Sequence, residues 1–212
     1  MITVVDYGSG NLRSVSKALE KVGGDVRVSG KPEDIVTADR VVLPGVGAFA
    51  DCRRNLDNAE LTEPVLKHIR QGKPFLGICV GMQMLFEESH EFGNHEGLGL
   101  IPGAVEAFSK SMNDPADETR KLKVPHMGWT PVFQREEHAL WEGISNPCHF
   151  YFVHSFHGVV GKQHHQLGQA NYGIPFTAAV GHDNIFATQF HPEKSQNAGL
   201  KLLENFVSWD PS

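Results

Sequence analysis

Short apolar runs alternate with amphipathic stretches along the first ninety residues. Residues 2–6 (ITVVD) read as a buried strand, and Tyr7-Gly8-Ser9-Gly10-Asn11 turns the chain into a helix over 12–22, where Leu12, Val15, Leu19 and Val22 recur at helical intervals. Gly23 and Gly24 stop that helix. A second strand falls around 26–29 and a third over 40–43, running into PGVGAF, while residues 56–71 carry Leu61, Val65, Leu66 and Ile69 at helical spacing. The run 75–78 reads as another buried strand, followed by helical spacing over 82–86. This alternation predicts an α/β fold with a central, mostly parallel sheet flanked by helices.

Beyond residue 88 the pattern weakens. Residues 88–100, rich in glycine, histidine and glutamate, read as a loop; 104–108 as a strand; and 110–123, polar and broken at Asp114-Pro115, as an exposed connection. VPHMGWTPV at 124–132 holds two prolines and a glycine and reads as an ordered loop. From residue 147 strands dominate: 149–154, 166–172, and a hairpin of 176–181 with 184–190 turning near Asp183. A terminal helix over 198–209 has Leu200, Leu203, Phe206 and Val207 on one face. Without internal repeats, 212 residues are expected to form one domain, 1–212.

Composition narrows the function. A net charge of −6 provides no basic field for a polyanion, so no nucleic-acid partner is expected. The chain begins without a basic and apolar leader and has no bilayer-length apolar stretch, so no membrane association is expected. Three scattered cysteines, Cys52, Cys79 and Cys148, suit a reducing compartment, the cytoplasm, better than a disulfide framework. The twelve histidines are dispersed, which argues against a metal site. GSGN at 8–11 falls short of Gly-x-Gly-x-x-Gly and no acidic ribose ligand follows residues 26–29, so no cofactor is expected.

Chemistry concentrates in PFLGICVGMQMLFE, residues 74–87. Gly77 and Gly81 flank Cys79 where a strand must turn abruptly into a helix, the arrangement of a nucleophile elbow. Packed core alone is the competing explanation for a cysteine at such a place. A partner far along the chain favours reactivity: His191 follows an apolar strand, and Glu193 lies two residues on across Pro192. In a Cys-His-Glu unit, His191 exchanges the proton and Glu193 orients the imidazole. Cys79 then attacks an amide or ester carbonyl. The Val80 N–H at the elbow and an N–H of the 44–47 turn, from Val46 or Gly47, are candidate oxyanion donors. Thiol-dependent hydrolysis follows from these residues, with the substrate open.

The motifs carry more. DYGSGNL (6–12), LPGVGAF (43–49), GICVGMQ (77–83), HEGLGLIPG (95–103), PHMGW (125–129), YFVHSF (151–156) and QFHPEKS (189–195) resemble the class I, or triad, glutamine amidotransferases. Within these they are most similar to the glutaminase subunits of imidazole glycerol phosphate synthase. The resemblance implies hydrolysis of L-glutamine by Cys79, His191 and Glu193. It also implies substrate contacts from Gln83, Glu91 and the His154-Ser155-Phe156 segment. It further implies a heterodimer with a (β/α)8-barrel cyclase that receives the ammonia, docked around Asn11, Met127, Trp129 and Lys194. A PGVG turn that withholds its N–H until the loaded cyclase is bound is implied as well. Val80, Thr130 and Phe156 depart from the common pattern; Thr130 bears on interface contacts and Phe156 on a hydroxyl hydrogen bond. Subunits serving anthranilate, aminodeoxychorismate or pyridoxal phosphate synthesis share the triad without PHMGW and PGVGAF together. A partnerless hydrolase would tuck Trp129 into its core, and a silent regulatory subunit would have no need of all three triad residues.

Overall fold

The computed structural model describes residues 1–109, 111–114 and 117–211. Its strands are β1 (Ile2–Val5), β2 (Val26–Ser29), β3 (Arg40–Gly45), β4 (Phe75–Cys79), β5 (Phe86–Ser89), β6 (His95–Glu96), β7 (Ile101–Ala107), β8 (Asn113–Asp114), β9 (Asp117–Lys121), β10 (His126–Gln134), β11 (Cys148–His154), β12 (Phe156–Val160), β13 (Gln166–Tyr172), β14 (Ile174–His182) and β15 (Ile185–Thr188). The helices are α1 (Leu12–Lys21), α2 (Pro32–Thr37), α3 (Phe49–Asn58), α4 (Thr62–Arg70), α5 (Val80–Gln83) and α6 (Gln196–Ser208).

A nine-stranded sheet in the order β11-β10-β13-β14-β15-β4-β3-β1-β2 organises the chain. From β15 to β2 neighbours are parallel; from β11 to β15 they are antiparallel. The α/β class expected from sequence is therefore present, with an antiparallel half extending the parallel core. The parallel strands are apolar on both faces because both faces are covered: every residue of β1, β4 and β15 is buried. A smaller sheet, β12-β7-β5-β6, lies beside the elbow.

Several expected boundaries move. The helix expected over 56–71 is two helices, interrupted where Glu60 takes φ 59° and Leu61 N–H returns to the Leu56 carbonyl, so that both leucines are buried. Helical spacing at 82–86 yields only the four residues of α5. Met84, Leu85 and Phe86 are buried all round, so their pattern cannot separate helix from strand, and carbonyls 84–86 are taken by N–H groups from 98–101. That pairing puts β5 and β6 where a loop was expected.

The loop expected over 124–132 is instead largely β10, held by its register with β11. Strands β8 and β9 pair within the expected connection 110–123; Lys110 and Pro115 lie outside the described residues. Helix α2 begins with Pro32 followed by Glu33 and Asp34, residues suited to a helix's first turn.

Candidate active site

Cys79 closes β4 with φ 56° and ψ −112°, a conformation that non-glycine residues hold only when their surroundings enforce it. Those surroundings are built from glycine. A Cβ on Gly81 would lie 1.9 Å from the Leu43 carbonyl oxygen, and one on Gly45 would lie 2.8 Å from the Gly81 nitrogen. A Cβ on Gly77 would meet the Gly81 carbonyl oxygen at 2.9 Å. Helix α5 thus presses on β3 and β4 at backbone contact, which lifts Cys79 to the carboxyl end of the parallel strands. With four residues α5 adds little macrodipole, so activation falls mainly to side chains.

His191 and Glu193 arrive just beyond β15. The His191 Nδ1–H donates to Glu193 Oε1 at 2.9 Å, and the two side chains are almost wholly buried. The Ser195 hydroxyl clamps the segment, donating to the His191 carbonyl at 2.7 Å and accepting from the Tyr151 N–H at 3.0 Å. Burial by itself lowers the His191 pKa, but hydrogen bonding and charge from Cys79 and Glu193 outweigh it and lift the imidazole to about 9. Nε2 has no hydrogen bond of regular geometry, and the interacting group on its side is the Cys79 thiol. Catalytic contacts of this sort often tighten only once substrate is bound.

Gln189 completes the surroundings of the sulfur. Its Nε2 lies 3.8 Å from Cys79 Sγ, and its Oε1 accepts from Gln83 Nε2 at 3.0 Å. The other Gln83 amide proton goes to the Phe156 carbonyl at 3.1 Å, so Gln83 offers the cavity its oxygen. Glu91, also expected to meet substrate, accepts from the Phe49 N–H at 2.6 Å, placing a carboxylate at the start of α3 directly after the PGVG turn.

In that turn Gly47 has φ +105°, and two buried donors hold carbonyls: the Tyr7 hydroxyl on Pro44 at 2.7 Å and the Cys52 thiol on Val46 at 3.4 Å. Burial pushes the Tyr7 hydroxyl and the Cys52 thiol to higher pKa, so both stay protonated as donors.

A cavity of about 880 Å³ joins these groups: Val46, Gly47, Cys79, Val80, Gln83, Glu91, His154, Ser155, Phe156 and His191 all line it. Asn11 and Lys194 also reach its wall. The ammonium of Lys194 lies 6.0 Å from the Tyr151 ring centroid, and Tyr151 is paired in register with Trp129. Trp129 is 45% and Met127 61% exposed, so the tryptophan is not in the core. Thr130, where the sequence departs from the common pattern, is buried and hydrogen-bonds inward to His126. In place of a hydroxyl contact, the Phe156 ring meets Phe92 edge-on at 5.9 Å.

Sequence reasoning had not singled out Gln189, Tyr7, Cys52 or His126. For Tyr7 and Gln189 the available signal is a polar residue just past an apolar strand; Cys52, on a helix, and His126, in a segment that reads as a loop, carry none. Among the described residues, no group of three or more histidine, cysteine or acidic residues is placed to hold a metal ion, and no helix is long and apolar enough to cross a membrane.

An α/β sheet carrying an elbow cysteine beside a buried histidine and glutamate is the arrangement of a thiol hydrolase or acyl-transfer domain. The chain belongs to the class-I glutamine amidotransferase family, whose profile matches residues 3–209. Within it, the chain is similar to the imidazole glycerol phosphate synthase subunit HisH of Nitrosomonas europaea, at 53% identity over 99% of both chains. It is also similar to HisH of Dechloromonas aromatica, at 54% over 99% of this chain and 97% of that protein. The fold alone is shared with PurLQS from Thermotoga maritima (TM-score 0.74, 19% identity, 98% of this chain and 97% of that one).

Proposed function

We propose that the chain is the glutaminase subunit of imidazole glycerol phosphate synthase, hydrolysing L-glutamine to L-glutamate and ammonia. The carrying observation is Cys79 at the glycine-built elbow, facing a His191 whose other nitrogen is fixed on buried Glu193. His191 takes the Cys79 thiol proton, and the sulfur attacks the side-chain amide carbonyl, forming a C–S bond and a tetrahedral oxyanion. N–H groups of Val80 and of Val46 or Gly47 receive that charge. His191 gives a proton to the departing nitrogen, the C–N bond breaks, and ammonia leaves a thioester. Water activated by His191 then hydrolyses the thioester, releasing glutamate and restoring the thiol. Gln83, Glu91 and the 154–156 segment hold the rest of the substrate.

Similarity to HisH subunits along almost the whole chain, at 53–54% identity, supports the destination of the ammonia. It passes to a separate cyclase subunit with a (β/α)8 barrel, a fold of about 250 residues. That subunit makes imidazole glycerol phosphate and AICAR in L-histidine biosynthesis. The exposed Met127 and Trp129, with Asn11 and Lys194 at the cavity wall, form the docking surface of the heterodimer. The free cysteines suit a cytoplasmic enzyme.

The test is Cys79→Ala in the complex reconstituted with the cyclase. Glutamine-dependent synthesis disappears and ammonia-dependent synthesis persists. Glutamine turnover surviving the substitution, or a wild-type chain that fails to assemble with the cyclase, refutes the reading.

A further inference from the structure

We propose that Thr130, His126 and His154 are positioning residues for glutamine, forming a one-directional hydrogen-bond chain that ties the docking strand β10 to the wall of the substrate cavity. The proposal rests on the glutaminase reading above and deepens it by assigning work to residues outside the triad.

Strand β10 has two faces. Met127 and Trp129 point to solvent, whereas His126 and Thr130 are buried behind them. The Thr130 hydroxyl lies 2.8 Å from His126 Nε2, His126 Nδ1 lies 2.9 Å from His154 Nε2, and His154 Nδ1 lies 2.8 Å from the Phe156 carbonyl oxygen. A carbonyl can only accept, so His154 carries its proton on Nδ1.

Burial disfavours charge on either ring, holding the pKa of His126 at about 4 and that of His154 at about 3. Each neutral ring has one donor and one acceptor. His154 Nε2 must therefore accept from His126 Nδ1–H, and His126 Nε2 must accept from the Thr130 hydroxyl. Every neutral link has one possible polarity. The His126 ring is further held between Tyr172 and Phe152, with centroids at 4.1 and 5.1 Å.

The chain ends on a working part of the site. The Phe156 carbonyl that receives the His154 proton also receives Gln83 Nε2, which continues to Gln189 and so to Cys79. Strand β10 is thereby joined, bond by bond, to the segment that lines the glutamine cavity. Removing the first donor leaves a buried imidazole nitrogen unsatisfied and frees the ring to turn.

In the reconstituted complex, Thr130→Val removes the hydroxyl at nearly constant volume, and Thr130→Ser keeps it. The valine variant is expected to lose about tenfold in kcat/KM for glutamine, mainly through KM, with ammonia-dependent synthesis unchanged. The serine variant stays within about twofold of wild type. Nitrogen-15 NMR of labelled wild-type imidazoles shows both His126 and His154 as neutral Nδ1–H tautomers, a readout that packing alone does not dictate.

An Nε2–H tautomer in either ring overturns the proposal. So does a folded valine variant with unaltered KM, or a serine variant as impaired as valine. If the valine variant does not fold, the tautomers and the serine variant decide. A wild-type complex without glutamine turnover refutes the glutaminase reading, and this proposal with it, whatever the tautomers.

Discussion

Substituting Gly81 by alanine probes how the nucleophile is held. The new Cβ would sit 1.9 Å from the Leu43 carbonyl oxygen and 2.9 Å from its carbon. Ordinary C···O contacts are near ~3.3–3.6 Å, so β3 and α5 must separate by roughly 1.4 Å or more. The obstacle is backbone and cannot rotate away. Overpacking of this kind typically costs about 1–3 kcal/mol, and a rigid neighbour puts Gly81→Ala at about 3 kcal/mol. For a chain of this size that lowers Tm by roughly 6–12 °C.

The displaced parts are Cys79 and Val80 on one side and the turn after Leu43 on the other, so nucleophile and oxyanion donors lose register. A misplacement near 1 Å costs about a hundredfold in rate. The assay is glutamine-dependent synthesis by the complex, with ammonia-dependent synthesis as the internal control and scanning calorimetry alongside. Gly72→Ala is the comparison, because Gly72, unlike Gly81, has positive φ (+73°) and nothing stands within 4 Å of its Cβ position. It carries only the left-handed strain of about 1–2 kcal/mol, with activity intact. A Gly81→Ala enzyme with wild-type Tm and wild-type kcat/KM would refute the claim that backbone contact builds the elbow.

Glu193→Gln removes a charge that favours the protonated His191. The imidazole pKa then falls below its value of about 9, and the alkaline limb of the kcat/KM profile for glutamine moves to lower pH. The same linkage affects stability. A raised histidine pKa stabilises the fold fully below the unfolded value of about 6.5 and loses that contribution as pH rises through about 9. Wild type and Glu193→Gln should therefore converge in stability, apart from pH-independent terms, as pH passes 9; a limb that does not move, or a stability gap flat from pH 6 to 10, contradicts the assignment. Trp129→Ala should leave Tm nearly unchanged but weaken association with the cyclase about thirtyfold, read by calorimetric titration, because an exposed tryptophan at the proposed docking surface is a typical hot spot. An unchanged Kd would remove Trp129 from the interface.

The sequence by itself determined the parallel core and singled out Cys79, His191 and Glu193 as the candidate triad. Runs such as FLGIC are apolar at consecutive positions, which suits a strand covered on both faces, and glycines spaced around Cys79 report an approach too close for side chains. The full-length motif pattern also carried the family. Strand β10 was not legible. Its proline and glycine, with Pro125 just before it, argue locally for a loop, and only pairing with β11 makes it a strand with one face outward and one inward. Residues 84–86 were ambiguous for a related reason: burial on all sides erases periodicity, and the carbonyls' partners lie more than ten residues on. Tertiary structure also decided which polar atoms meet. It sent Thr130 inward to His126, placed Gln189 between Gln83 and Cys79, and set two buried donors on the PGVG carbonyls. Hydrogen bonds between residues distant in sequence leave no periodic trace, because each depends on where two backbones come to rest rather than on either local pattern.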